Sequence, residues 1–152
     1  MLTGHEKESG RPIPRTGRSQ RQSKFSLSAI VLLLALLFYP ALAGFRVSQW
    51  IEFRIIIGYV IAISILTFCA YWRDKRRAEA GDWRIPESTL HLAELIGGWP
   101  AAYIAQRVLR HKISKLSYQM KFWAIVAIHE AVAFDFIINW HYTRSALLLL
   151  GR

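Results

Sequence analysis

The sequence predicts an all-α, polytopic helical membrane protein with three transmembrane helices and one re-entrant or fourth helical segment. Two runs without any charged side chain carry the prediction, residues 25–45 and residues 55–72. About 20 helical residues cross the ~30 Å hydrocarbon layer of a bilayer. The chain is also 53% hydrophobic with a formal charge of +10, and the charges lie between the apolar runs. This segregation argues against a soluble globular domain, and the apolar content excludes a wholly disordered chain.

Residues 1–24 form a polar tail with six Lys or Arg residues and only two acids, Glu6 and Glu8. Such a segment buries no core, so we expect a disordered, basic cytoplasmic tail before a helical membrane domain at 25–152. The run 25–45 is predicted to be an uncleaved first span, because it exceeds the roughly 7–15 apolar residues of a signal peptide. A cleaved signal, with small residues such as Ala43 at the cleavage site, is the alternative.

The second span is predicted at about 55–72, with Tyr71 and Trp72 at its interface. A charged loop is expected at 73–89. The third span is predicted at about 122–140. Cys69 is the single cysteine of the chain, which excludes an internal disulfide.

Residues 90–109 permit two interpretations. The segment is largely apolar, but the sequence Gly97-Gly98-Trp99-Pro100 interrupts a helix at its middle. Short loops rich in Lys and Arg stay on the cytoplasmic side. A re-entrant segment keeps both flanking basic clusters inside, so we favour it over a full crossing. The result is a multi-pass protein of the bacterial cytoplasmic (inner) membrane with a cytoplasmic N-terminus.

One face of the helix predicted after Pro86 carries Glu87, His91 and Glu94, at spacings i, i+4 and i+7. Carboxylate and imidazole side chains are common metal ligands, so this face is a conceivable metal site. It would need further ligands, such as His129 and Glu130. Because one helix supplies only part of such a set, we predict no metal and no cofactor. The alternative is that Glu87 merely complements the helix dipole.

Ionisable groups inside the third predicted span are the sharper anomaly, since each costs about 2.5–3.5 kcal/mol on insertion scales. Such groups by default face a functional path, but Asp135 could instead pair with Arg46 or Arg54. The sequence does not decide whether the protein is an enzyme. The candidates for catalytic groups are Glu87, His91, His129, Glu130 and Asp135.

Basic side chains of the cytoplasmic face have two alternative partners. Each Lys or Arg near an anionic membrane surface is worth about 1 kcal/mol. The same charges would bind nucleic acid, but the tail lacks interleaved aromatic residues for base stacking. We therefore expect membrane lipids and not nucleic acid as partners. The residues expected to contact anionic lipid are Arg84, Arg110, Lys112 and Lys115.

The stretch from Asp74 into the last span resembles a bacterial family known as domain of unknown function 1294. The residues that carry the resemblance are Asp74, Lys75, Arg84, Pro86, Glu87, His91, Gly97, Gly98, Arg110, His111 and Lys112. The resemblance implies a small membrane protein without an established activity. Some members carry an N-terminal cold-shock domain, which is absent here, so nucleic-acid binding is not carried over.

The sequence thus predicts a small integral membrane protein of unknown activity, whose basic cytoplasmic face engages anionic lipid or a partner. One alternative is an intramembrane enzyme or transporter with a polar site between the 87–94 helix and the last span. The other is a membrane-tethered nucleic-acid binder. The oligomeric state is left open.

Overall fold

The structure, a computed structural model, describes residues 26–83, 85–112 and 115–150, which form helices and no β-strand. The all-helical prediction is confirmed for this part of the chain, whereas the tail at 1–24 lies outside it. The helices are α1 (Leu27–Leu36), α2 (Phe38–Val47), α3 (Phe53–Ala80), α4 (Glu87–Ala93), a π-helical segment (Glu94–Gly98), α5 (Trp99–Leu109), α6 (Leu116–Ile137) and α7 (His141–Leu150).

Helices α1 and α2 together form an apolar stretch of 21 residues with a single interruption at Leu37. Pro40 lies three residues further on. Because proline has no N–H and its ring clashes with the carbonyl four residues earlier, here that of Leu36, the helix is disturbed at this point. The stretch matches the predicted first span within two residues.

Helix α3 is 28 residues long, about 42 Å at 1.5 Å per residue. It continues eight residues beyond the predicted span, so the prediction of a loop from residue 73 was wrong for 73–80. The helix ends where Gly81 adopts φ 73°, and the Asp82 N–H donates to the Arg77 carbonyl at 3.0 Å.

Residues 87–109 fold as a hairpin that follows α3 from its C-terminal end toward its N-terminal end and then returns. On the outward leg, the Ile85 N–H contacts Asp74, and the Ile96 carbonyl reaches Tyr59 fifteen residues earlier in α3. On the return leg, His111 is again at Asp74. Fifteen residues of α3 correspond to roughly 22 Å of depth. A re-entrant segment requires a hairpin of this kind. The depth to which the hairpin enters a membrane remains a prediction.

The last two helices meet at a sharp bend of 95°. Asn139 and Trp140 form this bend, both with φ near +59°, which costs a non-glycine residue about 1–2 kcal/mol. Within the described ranges, two stretches are long and apolar enough to cross a membrane, Leu27–Val47 and Phe53–Ala80, and a third exists only if α6 and α7 count as one bent span. The number of three spans therefore remains a prediction.

Candidate functional site

The buried core around the hairpin contains a polar group that centres on Glu94, whose side chain is fully buried. Tyr71 and Tyr118 both donate their hydroxyls to Glu94 Oε1, the second at 2.8 Å, and the two hydroxyls lie 2.5 Å apart. Gln106 Nε2 donates to the Tyr71 hydroxyl at 3.1 Å. His91 Nδ1 is 2.7 Å from Glu94 Oε2. We call these five residues, Tyr71, His91, Glu94, Gln106 and Tyr118, the Glu94 cluster.

His91, a member of the Glu94 cluster, has one ring nitrogen without a hydrogen-bond partner in the part of the chain that the structure describes. Its ring stacks on that of Tyr118, with centroids 4.2 Å apart, and its Nδ1 contacts the carboxylate. The other nitrogen, Nε2, is buried and has no hydrogen-bond partner among the described residues. A carboxylate that orients an imidazole in this way suits the imidazole to accept and release one proton.

A second group, the Asp74 cluster, closes the open end of the hairpin and consists of Asp74, Glu87, His111, Lys112 and Lys115. The buried Asp74 accepts from the Ile85 N–H at 3.1 Å and lies 2.7 Å from His111 Nε2. Lys112 Nζ lies 3.6 Å from Asp74 and 2.8 Å from Glu87, so it joins the two acids. The cluster ties α3, α4 and the residues after α5 together.

Glu87 is held between two lysines. Lys112 Nζ and Lys115 Nζ each donate to Glu87 Oε1 at 2.8 Å. The hydrogen bonds from Lys112 and Lys115 lower the pKa of Glu87 to about 2. The glutamate is therefore ionised at neutral pH and forms a fixed salt bridge.

The two glycines of the hairpin are required by backbone conformation and by space. Gly97 has φ 106°, a region that side chains rarely allow. A Cβ on Gly98 would lie 2.0 Å from Thr67 Oγ1 and 2.6 Å from the Ala93 carbonyl oxygen. The turn thus passes directly against α3 at Thr67, whose buried hydroxyl has no partner among the described residues.

The candidate residues of α6 do not join either cluster. His129 Nδ1 is 2.9 Å from the Ile125 carbonyl of its own helix. Glu130 Oε1 is buried without a partner in the described part of the chain. Asp135 accepts from the Tyr142 and Thr143 N–H groups at 2.9 and 3.2 Å, so it caps α7.

The alternative partners of Asp135 are also placed. Arg46 donates to the Ile137 carbonyl at 2.5 Å and to Asn139 Oδ1 at 3.3 Å, and neither Arg46 nor Arg54 pairs with Asp135. Among the described residues, no three His, Cys, Asp or Glu side chains are placed to hold one metal ion.

The four residues predicted to contact anionic lipid have different surroundings. Arg84 lies outside the described residues. Lys112 is almost fully buried in the Asp74 cluster, and Lys115 shares Glu87 but is half exposed. Arg110 is exposed and ends α5 with φ 50°. Lys75 pairs with Glu79 at 3.6 Å on the surface, and Pro86 precedes the first turn of α4.

Sequence reasoning missed the tyrosines and Gln106 of the Glu94 cluster. Tyr71 was interpreted as an interface residue, although a signal was present. Thr67, Tyr71 and Asp74 recur at i, i+4 and i+7 and give the apolar run of α3 one polar face. A polar stripe on an otherwise apolar span indicates a face buried against protein.

Comparison with known proteins places this site within a family. A family model described as "Protein of unknown function (DUF1294)" matches residues 64–118. YsdA, an uncharacterized protein of Bacillus subtilis strain 168, is 31% identical over 65 residues, which are 43% of this chain and 73% of that protein. The chain belongs to the DUF1294 family. The resemblance inferred from the sequence is thereby confirmed, and no solved structure matches the chain.

The matched DUF1294 region, residues 64–118, contains every member of the Glu94 and Asp74 clusters. It begins on α3 just before Thr67 and ends at Tyr118. The part of the chain that resembles the family is therefore the part that builds the hairpin, its two polar clusters and the polar face of α3.

Proposed function

We propose that the chain is a small multi-pass protein of the bacterial cytoplasmic membrane, with its N-terminus and the open end of the hairpin on the cytoplasmic side. The observation that carries the proposal is exposure of the most apolar helices. Only 6% of the apolar window in Leu27–Val47 and 11% of that in Phe53–Ala80 are buried. Surface of this extent is stable only against lipid or protein. The 87–109 hairpin then re-enters the membrane beside α3.

A basic rim at the open end of the hairpin supports engagement of anionic lipid. Lys112 forms salt bridges with Glu87 and Asp74, so its charge is already neutralised within the protein. The residues that contact anionic lipid are therefore the exposed basic residues around it. These exposed cations are Arg73, Arg76, Arg110, Lys115 and Lys121. Arg76 also lies over the Trp72 ring at 5.2 Å, which is typical of a membrane-interface position.

Enrichment of anionic lipid around the protein tests whether the basic rim binds it. A donor dye is attached at Ala80→Cys in a Cys69→Ser background, and the protein is reconstituted with acceptor-labelled phosphatidylglycerol or phosphatidylcholine. We expect several-fold enrichment of phosphatidylglycerol that declines with salt, because exposed charges are screened. The Arg73→Gln/Arg110→Gln double variant should lose most of this enrichment, because each cation near an anionic surface is worth about 1 kcal/mol.

The matched control is Arg54→Gln, which removes an exposed arginine from the opposite end of α3. Equal energy transfer to both lipids in the wild type, or no change in the double variant, would contradict lipid engagement by the rim.

A second candidate function, a proton-transferring site in an enzyme or transporter, is favoured by the free His91 Nε2 beside the buried Glu94. The site comprises the Glu94 cluster with Tyr118 from α6, and it does not include His129, Glu130 or Asp135. In proteoliposomes containing a pH-sensitive dye, an imposed potential should drive proton uptake that His91→Gln abolishes and Asp135→Asn retains. Uptake no faster than in empty liposomes would exclude a proton pathway.

A further inference from the structure

An apolar cleft of about 690 Å³ opens at the side of the molecule away from the Asp74 cluster. It lies between α2, α3, the π-helical segment and α6, and no Asp, Glu, Lys or Arg of the described residues lines it. The main walls are Pro40, Val47, Leu95, Val132 and Phe136. Two of its polar groups are already engaged: the Tyr59 hydroxyl donates to the Ile96 carbonyl, and His129 Nδ1 contacts the Ile125 carbonyl.

A second cavity of about 370 Å³ continues the cleft toward the end of α2, and the two share Phe136 and Trp140 as walls. Unlike the apolar cleft, the second cavity is lined in part by basic and polar side chains. Arg46, Arg144 and Asn139 face it together with aromatic rings, and no carboxylate from the described part of the chain lines it.

The two arginines have donors to spare. Arg46 uses only Nη1, toward the Ile137 carbonyl and Asn139, and its Nε and Nη2 have no partner among the described residues. Arg144 has no side-chain hydrogen bond or ion pair within the described ranges. Two guanidinium groups facing one cavity without a counter-charge favour a phosphate, which accepts several charge-assisted hydrogen bonds.

We propose that the two cavities together bind one anionic glycerophospholipid. Its phosphate lies between Arg46 and Arg144, and an acyl chain fills the apolar cleft. Trp50 and Trp140 flank the phosphate position at the level expected for aromatic residues of a membrane interface. The proposal rests on the membrane placement proposed above but not on the basic rim, which lies at the other end of α3.

The test is native mass spectrometry of the full chain in a mild detergent, with added phosphatidylglycerol or phosphatidylcholine. We expect one retained phosphatidylglycerol and at least tenfold weaker retention of phosphatidylcholine. Arg144→Gln should weaken phosphatidylglycerol retention about tenfold. Ala43→Phe, which fills the cleft and leaves both arginines, should do the same, with helical content checked by circular dichroism.

The matched control is Arg54→Gln, an exposed arginine at the same end that lines neither cavity. Phosphatidylglycerol retention that is unchanged in both Arg144→Gln and Ala43→Phe would overturn the proposal. So would equal retention of the two lipids, or displacement of the lipid by glycerol phosphate, which has the headgroup charge but no acyl chain. Whether the protein stays in the membrane fraction after detergent-free lysis is a separate measurement, so a failure here leaves the membrane placement standing.

Discussion

Gly98 lies at the closest approach between the hairpin and α3. Its substitution by alanine forces Thr67 and the backbone at Ala93 to move, because the added Cβ would overlap both. We expect Gly98→Ala to lower the free energy of unfolding by about 1–3 kcal/mol, the usual cost of overpacking. Thermal unfolding in detergent, followed by circular dichroism, measures this change.

Gly58 provides the control, because it lies within α3 and an added Cβ meets nothing within 4 Å. Gly58→Ala should be neutral or stabilising by about 0.5–1 kcal/mol through helix propensity. Equal effects of the two substitutions would contradict the close contact of Gly98 with Thr67.

The salt bridges of Glu87 make the free energy of unfolding depend on pH in the acid range. Its pKa is lowered from 4.5 to about 2 by Lys112 and Lys115. A carboxylate with a lowered folded pKa stabilises fully above the unfolded pKa, and the gain is lost as pH falls from 4.5 toward 2. Glu87→Gln should cost about 1 kcal/mol at pH 7 and much less at pH 2.5.

The measurement is the melting temperature of both proteins across pH 7 to 2.5. Glu79→Gln is the control, since Glu79 is largely exposed and pairs with Lys75 at 3.6 Å. A difference between wild type and Glu87→Gln that stays constant across this range would contradict the salt bridge.

Individual site residues were only partly predictable from the sequence. The face of Glu87, His91 and Glu94 was visible from helical spacing alone. Its partners were not, because Tyr71 reaches Glu94, and Gln106 reaches Tyr71, only through the pairing of the hairpin with α3. That pairing is a long-range property, which local spacing does not encode.

At the scale of elements, the sequence Gly97-Gly98-Trp99-Pro100 predicted the break in 90–109, and the structure has non-helical backbone at Ile96 and Gly97. The extension of α3 to Ala80 was not predicted, because charged residues at 73–80 resembled a loop. Lys, Arg, Glu and Ala are good helix formers, and Gly81 supplies the actual stop.

The bend before α7 depends on Asp135. Its carboxylate accepts from the Tyr142 and Thr143 N–H groups, which the first turn of α7 leaves unpaired. Asp135→Ala should destabilise α7 by about 1 kcal/mol, the usual cost of losing a cap. Faster amide hydrogen exchange in residues 141–150, with unchanged protection in 87–109, is the expected result.

Glu130→Gln is the control for that experiment, because Glu130 Oε1 makes no hydrogen bond within the described residues. It should leave exchange in α7 unchanged. Unaltered exchange in Asp135→Ala would show that the cap contributes nothing to α7.

At the scale of the whole molecule, charge and hydropathy predicted the division into apolar helices and a basic end. Phe53–Ala80 passes as a span by length and composition, and so does Leu27–Val47. The third span was less certain because α6 turns by 95° at Asn139 and Trp140. Asn tolerates left-handed backbone but Trp rarely adopts it, so nothing in the sequence indicated two such residues in succession and the bend was not predicted.

The central claim is that residues 87–109 enter the membrane and return to the same side. In a Cys69→Ser background, Ala80→Cys precedes the hairpin, Leu116→Cys follows it, and Gln49→Cys lies at the other end of the molecule, all at exposed positions. Labelling of intact spheroplasts with a membrane-impermeant thiol reagent measures which side each occupies. We predict that Gln49→Cys is labelled, and that Ala80→Cys and Leu116→Cys react only after lysis. Ala80→Cys and Leu116→Cys on opposite sides would mean that 87–109 crosses, and the account would be wrong.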